Sequence, residues 1–370
     1  MIRPDSSPEV HELACKLGID TTDPAVGIVV DCRRLVDSWV SQAGGIGPSG
    51  ISDISAFESL ITRKLSMVVE EIHSDEDFDR LTDKYARGMG DYVFAGLRAK
   101  FDDPDLPAFG VLIERNTSAK AAADLFVAVI DCRDELSGEK FARRYFTKWH
   151  EIAHRLTTHR SSAEPAFRAH EDPIETLVDA VASELSFYEP FLGPALQEVL
   201  SNENWLTFEM IESIILRVFP QASFQATLFA CMRLMPTPMV YLELSDDPLT
   251  IQKVLPNSAA YGHWLSCDRP IGNGQVRESQ SVHSTRLSCG QIVHRESVFC
   301  RVAASELLYD EIEHHLCDFE FPELGFFIGR FPSEPSARST SNAVTHGHRG
   351  VLVHAQARRV PGKVIALVQY

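Results

Sequence analysis

The run Glu139-Lys-Phe-Ala-Arg-Arg-Tyr-Phe-Thr-Lys-Trp-His-Glu-Ile-Ala-His-Arg-Leu-Thr-Thr158 decides how this chain is read. No proline or glycine interrupts it, and its pattern predicts one helix from about residue 139 to 158. Phe146, Trp149, Ile152, Ala153 and Leu156 recur at helical spacing and are expected to form its buried side. His150 and His154 stand four residues apart, roughly 40° around the helix, so both imidazoles can reach one point from the same face. Imidazole nitrogen suits zinc in tetrahedral geometry. Glu151 flanks that face and is placed to take a proton from a water activated by the ion. The bland alternative is a surface helix with two solvated histidines.

The flanking segments weigh against that alternative. Phe109–Arg115 and Leu125–Asp131 are short β-branched runs and read as strands, and the polar stretch Asp134–Gly138 reads as a turn into the helix. A further helix is expected from Pro173 to Tyr188. A catalytic zinc takes a third protein ligand and keeps one open position. Glu175, 21 residues beyond His154, is the leading candidate for that ligand. Asp179, one turn on, could accept a ring N–H of a ligand histidine. His159 is a poorer candidate, because a continuing helix would turn it roughly 140° away from His154. His170 is a second alternative, and a solvated acidic helix start is the bland reading of Glu175 and Asp179. A donor for a developing oxyanion is not singled out: Tyr145, His170 and Tyr188 are all conceivable.

Further out, Val10–Leu17, Cys32–Gln42, Ala56–Ile72 and Asp75–Lys100 carry helical periodicity, with a glycine-rich loop at Gly44–Gly50. Leu206–Leu234 reads as two helical segments broken at Phe219-Pro-Gln-Ala-Ser. Beyond residue 245 the chain is rich in Ser, Gly, Cys and His, with short apolar runs at Gln291-Ile-Val and Lys363-Val-Ile-Ala-Leu-Val. That tail is expected to be mixed α+β, with a mobile Pro/Ser-rich loop at 332–342. No internal repeat is found.

Composition bounds the function. The 370 residues, 44% hydrophobic and 24% charged, are those of a globular chain of two or three domains. Thirty-five basic against 52 acidic side chains give a net charge of −17, which disfavours direct DNA or anionic-lipid binding. No stretch approaches the roughly 20 apolar residues of a membrane span. The N-terminal residues lack the apolar core of a secretory signal, so a cytoplasmic location is expected. The cysteines at 15, 32, 132, 231, 267, 289, 300 and 317 contain no pair separated by two residues and read as reduced, mostly buried thiols. A second zinc site among Cys267, Cys289, Cys300, Cys317, His263, His283 and His294 is disfavoured by their irregular spacing.

Phe146-Thr-Lys-Trp-His-Glu-Ile-Ala-His together with Glu175-Thr-Leu-Val-Asp-Ala-Val-Ala-Ser-Glu-Leu-Ser-Phe resembles the ImmA/IrrE family of zinc metallopeptidases. That family shows Phe-Thr leading into the HExxH helix, then a glutamate followed at fixed offsets by small and acidic residues. Val178, Asp179, Ala182, Ser183, Glu184 and Leu185 fall at those offsets. Phe187-Tyr188 departs from the usual Met-Pro ending, and Val178 from a common alanine. The resemblance covers about residues 105–235. It implies one Zn2+ held by His150, His154 and Glu175, with Glu151 as general base.

The fold class implied is α+β: a helical N-terminal region (1–104), a minimal zincin-like peptidase core (105–200), a helix-turn-helix-like segment (201–245) and a mixed C-terminal domain (246–370), sensory by analogy with one branch of the family. The resemblance also implies an endopeptidase that cleaves a regulatory protein such as a helix-turn-helix repressor under stress or prophage signals. An extended substrate is expected to pair with the strand at Leu125–Ile130. The charges of 206–234 sum to zero, which points to packing or partner docking rather than groove reading. Two other functions fit the sequence: a protein-binding regulator on an inactive peptidase scaffold, and a transcription regulator acting through 206–234.

Overall fold

The computed structural model describes residues 7–103, 109–115, 125–133, 139–159, 172–202, 205–245, 265–275, 292–293, 298–304, 309–316, 351–360 and 363–369. Helix and sheet are mixed, an α+β arrangement, and the chain divides into two compact units. Residues 1–199 and 212–230 form the first, and residues 200–211 and 231–370 the second.

The first unit opens with α1 (Pro8–Leu17), α2 (Pro24–Gln42) and α3 (Ile54–Lys64). α2 begins eight residues before the periodicity suggested. Asp23 accepts from the Val26 amide and Pro24 occupies the first turn, a start signal independent of apolar spacing. The expectation of one helix over Ala56–Ile72 is corrected. α3 stops at Lys64, Ser66 takes a left-handed φ of 52°, and β1 (Met67–Ile72) follows. Leu65, Val68 and Val69 satisfy a helical template, but Leu65 caps α3 and a parallel ladder with β3 (Phe126–Asp131) claims Val68 and Val69. Asp75–Lys100 is likewise not one helix. α4 (Asp75–Thr82) passes into a π turn at Asp83–Arg87, the chain bends where Gly90 adopts φ 74°, and a 3-10 turn at Tyr92–Gly96 leads into α5 (Leu97–Phe101).

β2 (Gly110–Glu114) completes a three-stranded sheet in the order β1-β3-β2, with β1 parallel and β2 antiparallel to β3. β3 is buried along its whole length because both faces of the sheet are covered. One face packs Ile72, Val111, Ile113, Val127 and Val129 against Phe78, Leu81, Tyr85, Phe94, Leu97 and Phe101. The other meets α6 (Glu139–Thr158), which lies against β2 and β3 and also against α7 (Pro173–Ser186). Along α6 the buried side is Tyr145, Trp149, Ile152, Ala153 and Leu156. Tyr145 thus takes the place expected of Phe146, which is only half-buried and lies beside His150. Trp149 stacks on Phe57 of α3 at 5.6 Å between ring centroids, and Phe57 stacks in turn on Tyr188 at 4.6 Å. α8 (Glu189–Val199) follows.

α9 (Phe208–Arg217) and α10 (Phe224–Leu234) are the two helices expected in 206–234. The second unit holds β4 (Met239–Ser245), β5 (Leu265–Gly272), β6 (Ile292–Val293), α11 (Val298–Ala304), β7 (Tyr309–Leu316), β8 (Val351–Val360) and β9 (Lys363–Gln369). Its strands form one antiparallel sheet in the order β6-β5-β4-β9-β8-β7. Alternate residues Val240, Leu242 and Leu244 join Val364, Ala366 and Val368 in one core with Phe299 and Val302 of α11. Two buried amides hold the start of α9: Leu206 exchanges hydrogen bonds with Gln369, and the Phe208 amide donates to Gln356. The bond from the Phe208 amide fills a helix N-terminal donor that has no partner within the helix.

Among the described residues no helix is long and apolar enough to cross a membrane. Among the described residues Cys32, Cys132, Cys231, Cys267 and Cys300 are buried, Cys15 is exposed, and none of the six is in a disulfide. Cys289, Cys317, His263, His283, His294 and the loop at 332–342 lie outside the described residues.

Candidate metal centre

α6 presents His150 and His154 on one face, and α7 brings Glu175 to them from its first turn. The start of α7 is fixed locally. Asp172 accepts from the Ile174 amide at 2.8 Å and Pro173 sits at the first position, so Glu175 projects where the helix dipole favours a carboxylate. Leu177, Val178, Val181, Ala182 and Leu185 bury the opposite side of α7.

The three side chains converge. His150 Nε2 and His154 Nε2 are 3.0 Å apart, and Glu175 Oε2 lies 3.1 Å from the first and 3.3 Å from the second. Ligands placed tetrahedrally at zinc's 2.0–2.1 Å would be spaced roughly 3.3 Å apart, so the triangle matches the edge of such a polyhedron. Two imidazole nitrogens facing each other at this distance need a cation or a shared proton between them. Asp179 sets the tautomer: His150 donates from Nδ1 to Asp179 Oδ1 at 2.8 Å, which leaves the Nε2 lone pair aimed at the centre. These donors form a candidate metal-ligand group, and two imidazoles with one carboxylate are a donor set that zinc accepts.

The electrostatics agree from both sides. Burial works against a charged His150, but the carboxylates of Asp179 and Glu175 outweigh it and push the imidazole up to about 10. Burial pulls Glu175 the other way, yet the two histidines hold its carboxyl at about 2. Without metal the group is therefore an ion pair whose proton stands where a cation fits.

Glu151 lies beside this triangle and is 6% exposed. Burial drives its carboxyl above the ordinary carboxylate range, while His154, His150 and Lys100 oppose that rise. A carboxylate raised in this way is a better proton acceptor near neutrality. It is also covered by backbone. A Cβ at Gly110 would fall 2.9 Å from Glu151 Oε1 and 2.6 Å from Thr147 Cγ2, so only glycine lets β2 pass this close.

Of the other sequence candidates, His159 turns away and stands edge-on to Trp39, with ring centroids 5.8 Å apart. His170 lies outside the described residues. Tyr145 donates its hydroxyl to the Ser186 carbonyl and Tyr188 donates to Asp37, so both hydroxyls are engaged away from the triangle. The strand expected to receive an extended peptide, Leu125–Ile130, is corrected: β3 is central, paired on both sides. The edge next to Glu151 belongs to β2, and no described strand pairs with its outer side.

Two residues escaped the sequence reading. Gly110 falls inside the strand expected over Phe109–Arg115, and only the packing of β2 on α6 reveals its role. Lys148, 3% exposed, is held by Glu58 at 2.8 Å, Gln221 at 3.0 Å and Glu71 at 3.7 Å. A lysine one residue from a buried tryptophan on a helix gives no sign of so complete an enclosure. Compared with known protein families the chain matches no family model, and compared with curated proteins it matches none.

Proposed function

We propose that the chain is a zinc-dependent endopeptidase with a minimal zincin-like core of the ImmA/IrrE type, hydrolysing a peptide bond in a regulatory protein such as a helix-turn-helix repressor. The observation that carries this reading is the convergence of His150, His154 and Glu175 to donor spacings of 3.0, 3.1 and 3.3 Å beside a buried glutamate. His150, His154 and Glu175 would hold the ion. Bound zinc supplies Lewis acidity, polarising a carbonyl and lowering the pKa of water.

The chain's own groups do the rest. Asp179 keeps the His150 lone pair directed inward through the 2.8 Å bond at Nδ1. Glu151 takes a proton at its carboxylate from the attacking water and returns it to the departing amine. The outer edge of β2 offers backbone groups to an extended peptide, which would run along the strand that covers Glu151. Substrate backbone would thereby be delivered to the general base by ordinary strand pairing. The paired guanidinium of Arg217, 2.6 Å from Glu198, fits a partner-docking or packing role for 206–234 better than phosphate contact.

The test compares wild type with Glu151→Gln, both purified without chelator. Both should retain zinc, and only wild type should cleave a proteome-derived peptide library. Identical cleavage by the two proteins would refute the assignment of Glu151. Zinc retention with no cleavage by either would favour a regulator on an inactive scaffold.

A further inference from the structure

A second group of dissimilar donors stands at the C-terminal ends of β1 and β3. The parallel register pairs Glu71 with Ile130 and Ile72 with Asp131, and the Cys132 amide continues the ladder by donating to the Ile72 carbonyl at 2.8 Å. Side chains alternate along a strand, so Glu71, His73 and Cys132 emerge on one face. That face is the one covered by α6, because Glu71 meets Lys148 there. Asp131 and Glu70 point to the opposite face, where they bind Arg133 and Tyr85. Two neighbouring strands thus bring a carboxylate, an imidazole and a thiol together, and one ligand atom from each lies within 4.8 Å of the others.

We propose that Glu71, His73 and Cys132 form a second divalent-cation site, suited to zinc or another thiophilic ion and independent of the His150–His154–Glu175 centre. Sulfur, imidazole nitrogen and carboxylate oxygen together are a zinc donor set, while magnesium and calcium prefer oxygen alone. Cys132 is buried on the strand and fixes the site's position, whereas His73 has a side chain 55% exposed and is free to swing. Closing the group from 4.8 Å to the roughly 3.3–3.6 Å edges of a zinc tetrahedron asks for about 1 Å of movement. Rotation of this exposed imidazole supplies it.

The nearby ammonium of Lys148 is the obvious objection, and the distances answer it. Lys148 is committed to Glu58 at 2.8 Å and Gln221 at 3.0 Å, and only approaches Glu71 Oε1 at 3.7 Å. Glu71 Oε2 faces His73 Nε2 at 3.4 Å and is the oxygen available to a cation. Burial, with Glu71 and Asp131 nearby, pushes the Cys132 thiol up to about 11, so it is a protonated, unreactive group until an ion draws off the proton.

The experiment is a Co2+ titration of the full chain after chelator stripping, followed by absorption in the near ultraviolet, where cobalt–thiolate charge transfer appears. Wild type should take up two equivalents, one of them accompanied by the charge-transfer band. Cys132→Ser should lose the band and one equivalent, and His73→Ala should weaken that equivalent at least about tenfold. A His150→Ala/His154→Ala variant should lose the other equivalent and keep the band, which separates failure of this site from failure of the proposed peptidase centre. Absence of the band in wild type, or a band unchanged in Cys132→Ser, would overturn the proposal. If Cys132→Ser does not fold, His73→Ala decides, since it alters a largely solvated side chain; an unchanged cobalt affinity there overturns the site.

Discussion

Removing the carboxylate of Asp179 tests whether the His150 orientation governs metal affinity. In Asp179→Ala the 2.8 Å bond to Nδ1 disappears while Nε2, His154 and Glu175 keep their positions. Loss of such an outer partner ordinarily weakens zinc binding by about 10–100-fold. Here the Asp179 side chain is 43% exposed, so solvent screens its charge and can replace its acceptor. The expected loss is therefore near the lower limit, about tenfold or about 1.4 kcal/mol. Competition against a chromophoric chelator measures it, with far-ultraviolet circular dichroism confirming that α7 persists. Zinc affinity within about twofold of wild type would refute the reasoning, because the ring would then be oriented by packing alone.

Three more outcomes are expected. In the metal-free chain, His150 has a value raised from 6.5 to about 10, so its stabilisation is complete below about 6.5 and lost as pH rises through 10; Glu175, lowered from 4.5 to about 2, contributes above 4.5 and loses that contribution as pH falls toward 2. Thermal melts of metal-free wild type against His150→Ala should therefore differ most between about pH 4.5 and 6.5 and converge toward pH 10, and zinc should bind more tightly as pH rises and its competing proton leaves. Gly110→Ala, whose Cβ would stand 2.9 Å from Glu151 Oε1, should keep zinc but slow peptide cleavage on the order of tenfold to a hundredfold; undiminished turnover would show that Glu151 is not held by β2. Lys148→Met preserves the stem but strands Glu58 and Glu71, and since both carboxylates are partly exposed the cost in denaturant unfolding should be about 2–3 kcal/mol.

The helix that carries the candidate metal ligands was legible because its signal is local. Apolar spacing, uninterrupted length and two histidines one turn apart are properties of α6 alone, and Pro173 marked α7 in the same way. Glu175 and Asp179 could be chosen because both stand on the first two turns of the next helix. What escaped depends on other segments. Val68 and Val69 fit a helix until β3 offers them a parallel ladder. Sheet order is invisible along the chain, so an edge is expected at β3, which lies between β1 and β2. The hydroxyls of Tyr145 and Tyr188 looked available because their acceptors, Ser186 and Asp37, lie 41 and 151 residues away.

The placement of β9 bears on the order of synthesis. Residues 363–369 fill the gap between β4 and β8, and Gln369 grips the backbone of Leu206. A nascent chain therefore reaches residue 360 with two unconnected pieces of sheet, and with α9 held through Gln356 but not yet through Gln369. Only when residues 363–369 have been made can the two pieces be zipped into one, so this sheet should close in a single step that waits for β9.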